Sequence, residues 1–132
     1  MAMKRRIMFR GRCNGAWRKG DHLTYSNGEC IKNWGGGFSF EYDVEPDTVG
    51  QFTGFYDVDG ERIFEGDICE LLEIGSCRFC VEWDITNARF NCFFLKGQRA
   101  KFTFNRENAS KYFRVIGNIH DNPELLTGSD SK

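Results

Sequence analysis

From Phe38 to Glu45 apolar and polar residues alternate without a break, Phe38, Phe40, Tyr42 and Val44 on one side and Ser39, Glu41, Asp43 and Glu45 on the other. A period of two marks a strand with one face buried. The segments around it are punctuated by turn residues at short, regular intervals: Asn14-Gly15, Ser26-Asn27-Gly28, Gly35-Gly36-Gly37 and Asp59-Gly60. Asn-Gly is the dipeptide best suited to a type I′ hairpin turn, because both central positions need positive φ. Arg6 to Cys13 and Ala16 to Asp21 therefore read as a first hairpin, Glu29 to Trp34 as the next strand, and the three glycines as a flexible break.

Further strands follow at Gln51 to Tyr56, Glu61 to Phe64, Asp67 to Ile74, Cys77 to Trp83, Phe90 to Lys96, Arg99 to Phe104 and Tyr112 to Ile119. Thirteen phenylalanines suit pleated, half-buried surfaces. Asn105 to Ser110 reads as one helical turn. Asn122-Pro123-Glu124 starts another, with Asn as cap, Pro in the first turn and Glu facing the dipole. No amphipathic helix of a dozen residues is legible. Short strands with turn signals at this spacing point to an all-β barrel or sandwich with one short C-terminal helical turn. Residues 1–126 are read as a single domain and 127–132 as a disordered tail.

A net charge of −1 conceals segregation. Met1 to Gly20 holds seven basic residues and no acid, whereas Glu41 to Glu73 holds eleven acids against Arg62 alone. Either the two kinds of strand pair with each other, or the basic segments form a patch for an anion. The N-terminus lacks the apolar run of a signal peptide, which places the expected site of action in the bacterial cytoplasm with six reduced cysteines.

Three blocks of the sequence resemble one family. Ile7 to Arg12 with Asn14-Gly15-Ala16-Trp17 is similar to the opening of YopX-like phage and prophage proteins. Gln51-Phe52-Thr53-Gly54 and Asp57 to Ile68 resemble its central signature, and Val115 to Leu126 its C-terminal one. The resemblance implies an all-β fold, a small barrel with an SH3-like portion and associated β-hairpins, and a temperate phage or prophage as source. It carries no assigned activity. The glycines and Asp67 of the central signature also suit sharp turns in their own right.

Chemistry-bearing residues are sparse. Cys77-Arg78-Phe79-Cys80 has the spacing of a zinc knuckle, with Cys69 and Cys92 available to complete a tetrahedron. Residues three apart on a strand face opposite ways, however, so buried thiols are the expectation and no metal or cofactor is assigned. His22 and His120 are the only imidazoles, and neither is placed with a nucleophile by any motif. Asp57, Asp59, Glu61, Glu65 and Asp67 read as solvated turn carboxylates rather than an acid–base pair. The most suggestive set is basic and aromatic: Arg10, Arg12, Trp17, Arg18 and Lys19 on one hairpin, with Trp34 and Trp83 elsewhere. Gln51, Thr53 and Trp83 complete the candidate binding residues.

Three functional classes follow. The first is a non-catalytic phage or prophage accessory protein, a binding module for a host protein or a small anionic ligand. The second is a nucleic-acid-binding small barrel, supported by the basic hairpin and opposed by the acidic middle. The third is an enzyme, which no residue pattern demands. A homo-oligomer is compatible with each of them, because short all-β chains have open edges.

Overall fold

The computed structural model describes residues 7–72, 77–94 and 104–126. The chain is all-β, as the alternation requires, with ten strands, one helix and short 3₁₀ turns among the described residues. It gathers into two compact units, Met1–Phe52 and Thr53–Lys132.

The first unit is an antiparallel meander of β1 (Phe9–Cys13), β2 (Ala16–Tyr25), β3 (Gly28–Gly35) and β4 (Phe38–Val44), with the start of β5 (Gly50–Tyr56) beside β1. Asn14 and Gly15 both take positive φ (52° and 82°) between β1 and β2, as a type I′ turn requires. Gly36 and Gly37 do the same between β3 and β4 (57° and 81°). The three glycines are thus a tight hairpin, not a flexible break: Gly35 closes β3 opposite Phe38, and only two residues remain for the turn.

The meander curls until the end of β4 reaches β1, where the Glu45 amide donates to the Arg12 carbonyl at 2.9 Å. Two glycines allow the approach. A Cβ on Gly11 would lie 2.8 Å from the Val44 side chain, and one on Gly20 would lie 2.1 Å from the Lys32 carbonyl oxygen. Thr48, in the 3₁₀ turn Pro46–Thr48, locks the corner by accepting the Arg12 amide and donating to the Glu45 carbonyl.

In the second unit, β6 (Arg62–Phe64) flanks β5, and a four-stranded sheet runs in the order β10-β7-β8-β9. These strands are β7 (Asp67–Leu71), β8 (Arg78–Asp84), β9 (Arg89–Phe94) and β10 (Phe113–Asn118), the last preceded by helix α1 (Arg106–Tyr112). Alternation sends Cys69, Leu71, Phe79 and Val81 to one face, where Ile63, Ala109 and Phe113 complete a buried core. Among the described residues the sheets are open rather than closed into a barrel, β9 and β10 standing at opposite ends of their order. In β10 the pairing with β7 slips by one residue: Val115 faces Cys69 and Gly117 faces Ile68, leaving Ile116 as the extra residue of a bulge. The expected strand from Arg99 to Phe104 and the tail lie largely or wholly outside the described residues.

Candidate binding surface

The carboxylates of the central signature are part of the scaffold. Asp57 is only 3% exposed. Its Oδ1 accepts the amides of Asp59 and Glu61, at 2.8 and 2.9 Å, and its Oδ2 accepts that of Val115 at 2.9 Å. Asp67, 2% exposed, accepts the Phe64 amide at 2.7 Å. The expectation of solvated turn residues is therefore corrected for these two: they are buried because each replaces water for backbone donors that the turns leave unpaired. The C-terminal signature works alike. Asn118 Oδ1 accepts the amides of His120 and Asp121, and Asn122 Oδ1 accepts that of Asn118. A Cβ on Gly117 would sit 2.5 Å from Asn122 Oδ1, so the signature glycine makes room for the cap.

Cys77 belongs to the core cluster, while Cys80 lies opposite Ile68 on the other face of its sheet. Burial pushes the thiols of Cys80 and Cys92 up to about 12. Among the described residues no three His, Cys, Asp or Glu side chains are grouped to hold a metal ion.

The basic hairpin divides between two faces. Arg10 stands opposite Lys19 and Arg12 opposite Trp17, so these four share one face of β1 and β2. Arg18, opposite Gly11, is on the other, with its guanidinium 4.2 Å from the Tyr42 ring centre. Arg10 is 8% exposed, its guanidinium 4.6 Å from the Trp17 ring centre, and Arg12 is bound to Glu45 through two nitrogens at 3.0 Å each. A basic residue of β1 is thus paired within the unit with an acid that follows β4. Of the other candidates, Gln51 pairs with Phe9 on the face away from Arg10. Thr53 donates to the Ile63 carbonyl, and Trp83 packs edge-on against Phe90 in the second unit.

The largest exposed aromatic groups lie elsewhere, at the end of the β3–β4 hairpin. Phe38 is 70% exposed, Trp34 64% and Phe40 55%. Phe38 and Phe40 share one face; Trp34, opposite Ser39, occupies the other, where its Nε1 donates to Asp21 and Lys32 Nζ lies 4.5 Å from its ring centre. The alternation of β4 holds, but burial begins only at Tyr42, because the first residues of the strand project past the curl. The signal available in the sequence was the crowding of three aromatics around three glycines.

At the other end of the β3–β4 hairpin, beside the turn between β2 and β3, is a groove of about 370 Å³ lined by Tyr25, Gly28, Cys30, Glu41, Asp43 and Val44 among others. Glu41 accepts the Tyr25 hydroxyl at 2.9 Å, which raises the phenol's pKa. Asp43 accepts from the Cys30 thiol at 3.2 Å and, with burial adding to it, holds that thiol up to about 11. Glu29 is bonded by Thr24 and His22, which lower its pKa in that order. The groove carries the carboxylates of Glu41 and Asp43, each held by a neighbour, while that of Glu29 is bonded on the other face of the sheet.

No curated protein matches this sequence. The crystal structure of protein EF1440 from Enterococcus faecalis is similar in fold, with a TM-score of 0.59 at 23% identity, covering 93% of this chain and 99% of that one. The family described as YopX protein matches residues 13–127, which takes in the central and C-terminal signature blocks and, of the opening one, Asn14 to Trp17 but not Ile7 to Arg12. This chain therefore belongs to the YopX protein family.

Proposed function

We propose that this protein is a non-catalytic accessory module of a temperate phage or prophage, working in the bacterial cytoplasm by binding a host protein through the end of the β3–β4 hairpin. The observation that carries this reading is the exposure of Phe38 and Phe40 on one face of the strands flanking the Gly36-Gly37 turn, and of Trp34 on the other. Aromatic side chains lose little rotamer entropy on burial and dominate the anchors of protein interfaces. Neighbouring exposed rings on one face, as Phe38 and Phe40 are, mark interaction sites. The reading is also supported by what the arginines and carboxylates already do: Arg12 is committed to Glu45, and Asp57 and Asp67 to backbone amides.

The test is a photo-crosslinking residue placed at Phe38 in cells that make the protein, with the same group at Glu124 as control. A discrete covalent adduct from position 38 and none from 124 is the expected result. Equal, diffuse labelling from both positions would refute the reading.

A further inference from the structure

We infer that the partner is recognised as an added strand: β4 takes up, antiparallel along its open edge, an extended segment in which basic residues alternate with apolar ones. The inference rests on the proposed binding end and names what fits there.

Among the described residues β4 is the outermost strand of its order. The type I′ turn at Gly36-Gly37 makes Gly35 and Phe38 a hydrogen-bonded pair, since the carbonyl before a two-residue turn accepts the amide after it. Counting along the register, Phe38, Phe40 and Tyr42 exchange bonds with β3, and the backbone groups of Ser39 and Glu41 point outward. An incoming antiparallel strand would bond to these two, and residues bonded in this way stand directly opposite with side chains on the same face.

The two faces of the edge then dictate the ligand's alternation. Residues opposite Ser39, Glu41 and Asp43 lie on the face that carries Glu41 and Asp43; Lys32, opposite Glu41, turns its Nζ to the Trp34 ring, and a cationic side chain is favoured there. Those opposite Phe38 and Phe40 lie against the exposed rings, where apolar side chains remove hydrocarbon from water. Strand addition gives affinity through the backbone and specificity through alternate side chains. A second copy of β4 fits less well, because its own acidic face would meet Glu41 and Asp43 in every register but those centred near Phe40.

The experiment uses the whole chain and a blocked peptide of alternating Lys and Val, Lys at both ends, with calorimetric titration. Binding is expected to fall at least about tenfold on Glu41→Lys and on replacing the peptide's Lys by Glu. Methylating the amide nitrogens of the Lys residues should abolish it, whereas methylating those of the Val residues should leave it within about twofold, because only the former face β4. Equal loss from the two methylated peptides, equal binding of the Lys and Glu peptides, or no binding at all would overturn the inference. So would self-association of the protein that Phe40→Ser abolishes in the absence of peptide binding, which would assign the edge to a second copy. A discrete adduct from position 38 alongside a failed titration would sink strand addition alone, and absence of both would sink the binding end with it.

Discussion

Asp57 and Asn118 do at two corners of the second unit what water does elsewhere, each gathering backbone amides that turns leave unpaired. Replacing Asp57 by Ala orphans three donors, two of them in its own turn and one in β10, and is expected to cost about 3 kcal/mol or more. Chemical denaturation checks this, and an unchanged midpoint would show that water substitutes freely. Gly20→Ala should be costly for a different reason: its methyl group would meet the Lys32 carbonyl oxygen, a backbone atom that cannot swing aside, at an expected cost of about 1–3 kcal/mol. The buried thiols make stability depend on alkaline pH. Cys80 and Cys92 are held at about 12, against an ordinary value of 9.0, mainly by burial. Below 9 both states keep their protons and the contribution is intact; above it the unfolded chain ionises first, and stability drains away until the folded thiols titrate. The urea midpoint should therefore fall between about pH 9 and pH 12, and fall less in Cys80→Ala/Cys92→Ala.

The hairpins were the most legible part of the sequence, because turn dipeptides and period-two alternation are local. Asn14-Gly15 adopts the turn its residues favour, and β4 follows the alternation of Phe38 to Val44. What local pattern cannot carry is the meeting of elements far apart in the chain. The curl that brings Glu45 to Arg12, and the need for Gly11 and Gly20 beneath it, depends on contacts more than ten residues apart, as does the burial of Asp57 against Val115. The exposure of Phe38 and Phe40 was missed for the same reason, since alternation tells which residues share a face and not where along the strand the cover ends. The Gly36-Gly37 turn offers a test at this scale. Asn tolerates positive φ and has fewer unfolded conformations than Gly, so Gly36→Asn should raise stability by about 0.4–1 kcal/mol. A lower melting temperature would mean that the turn is not of this type.

At the scale of the whole molecule the question is which surface meets a partner. A nucleic-acid reader needs several free cations in one array, each releasing counterions on contact. Here Arg10 is buried against Trp17, Arg12 is paired with Glu45 and Arg18 is turned to the other face, which leaves Lys19 as the exposed member of the set. Anisotropy titrations of single strands and duplex at low salt should accordingly show little binding, unaltered in Arg10→Ala/Arg12→Ala/Lys19→Ala. Tight, steeply salt-dependent binding lost in the triple variant would move the functional surface to β1 and β2. The bulge in β10 bears on how such a molecule tolerates change. Because Ile116 is the supernumerary residue, everything after it is counted from a shifted origin, and Asn118 reaches its place opposite Asp67 only through that offset. Removing Ile116 would act on this strand as a frameshift acts on a message: each residue downstream would trade sides, and the caps on His120 and Asp121 would be spoken to the wrong face. Length, and not only composition, is thus fixed in β10.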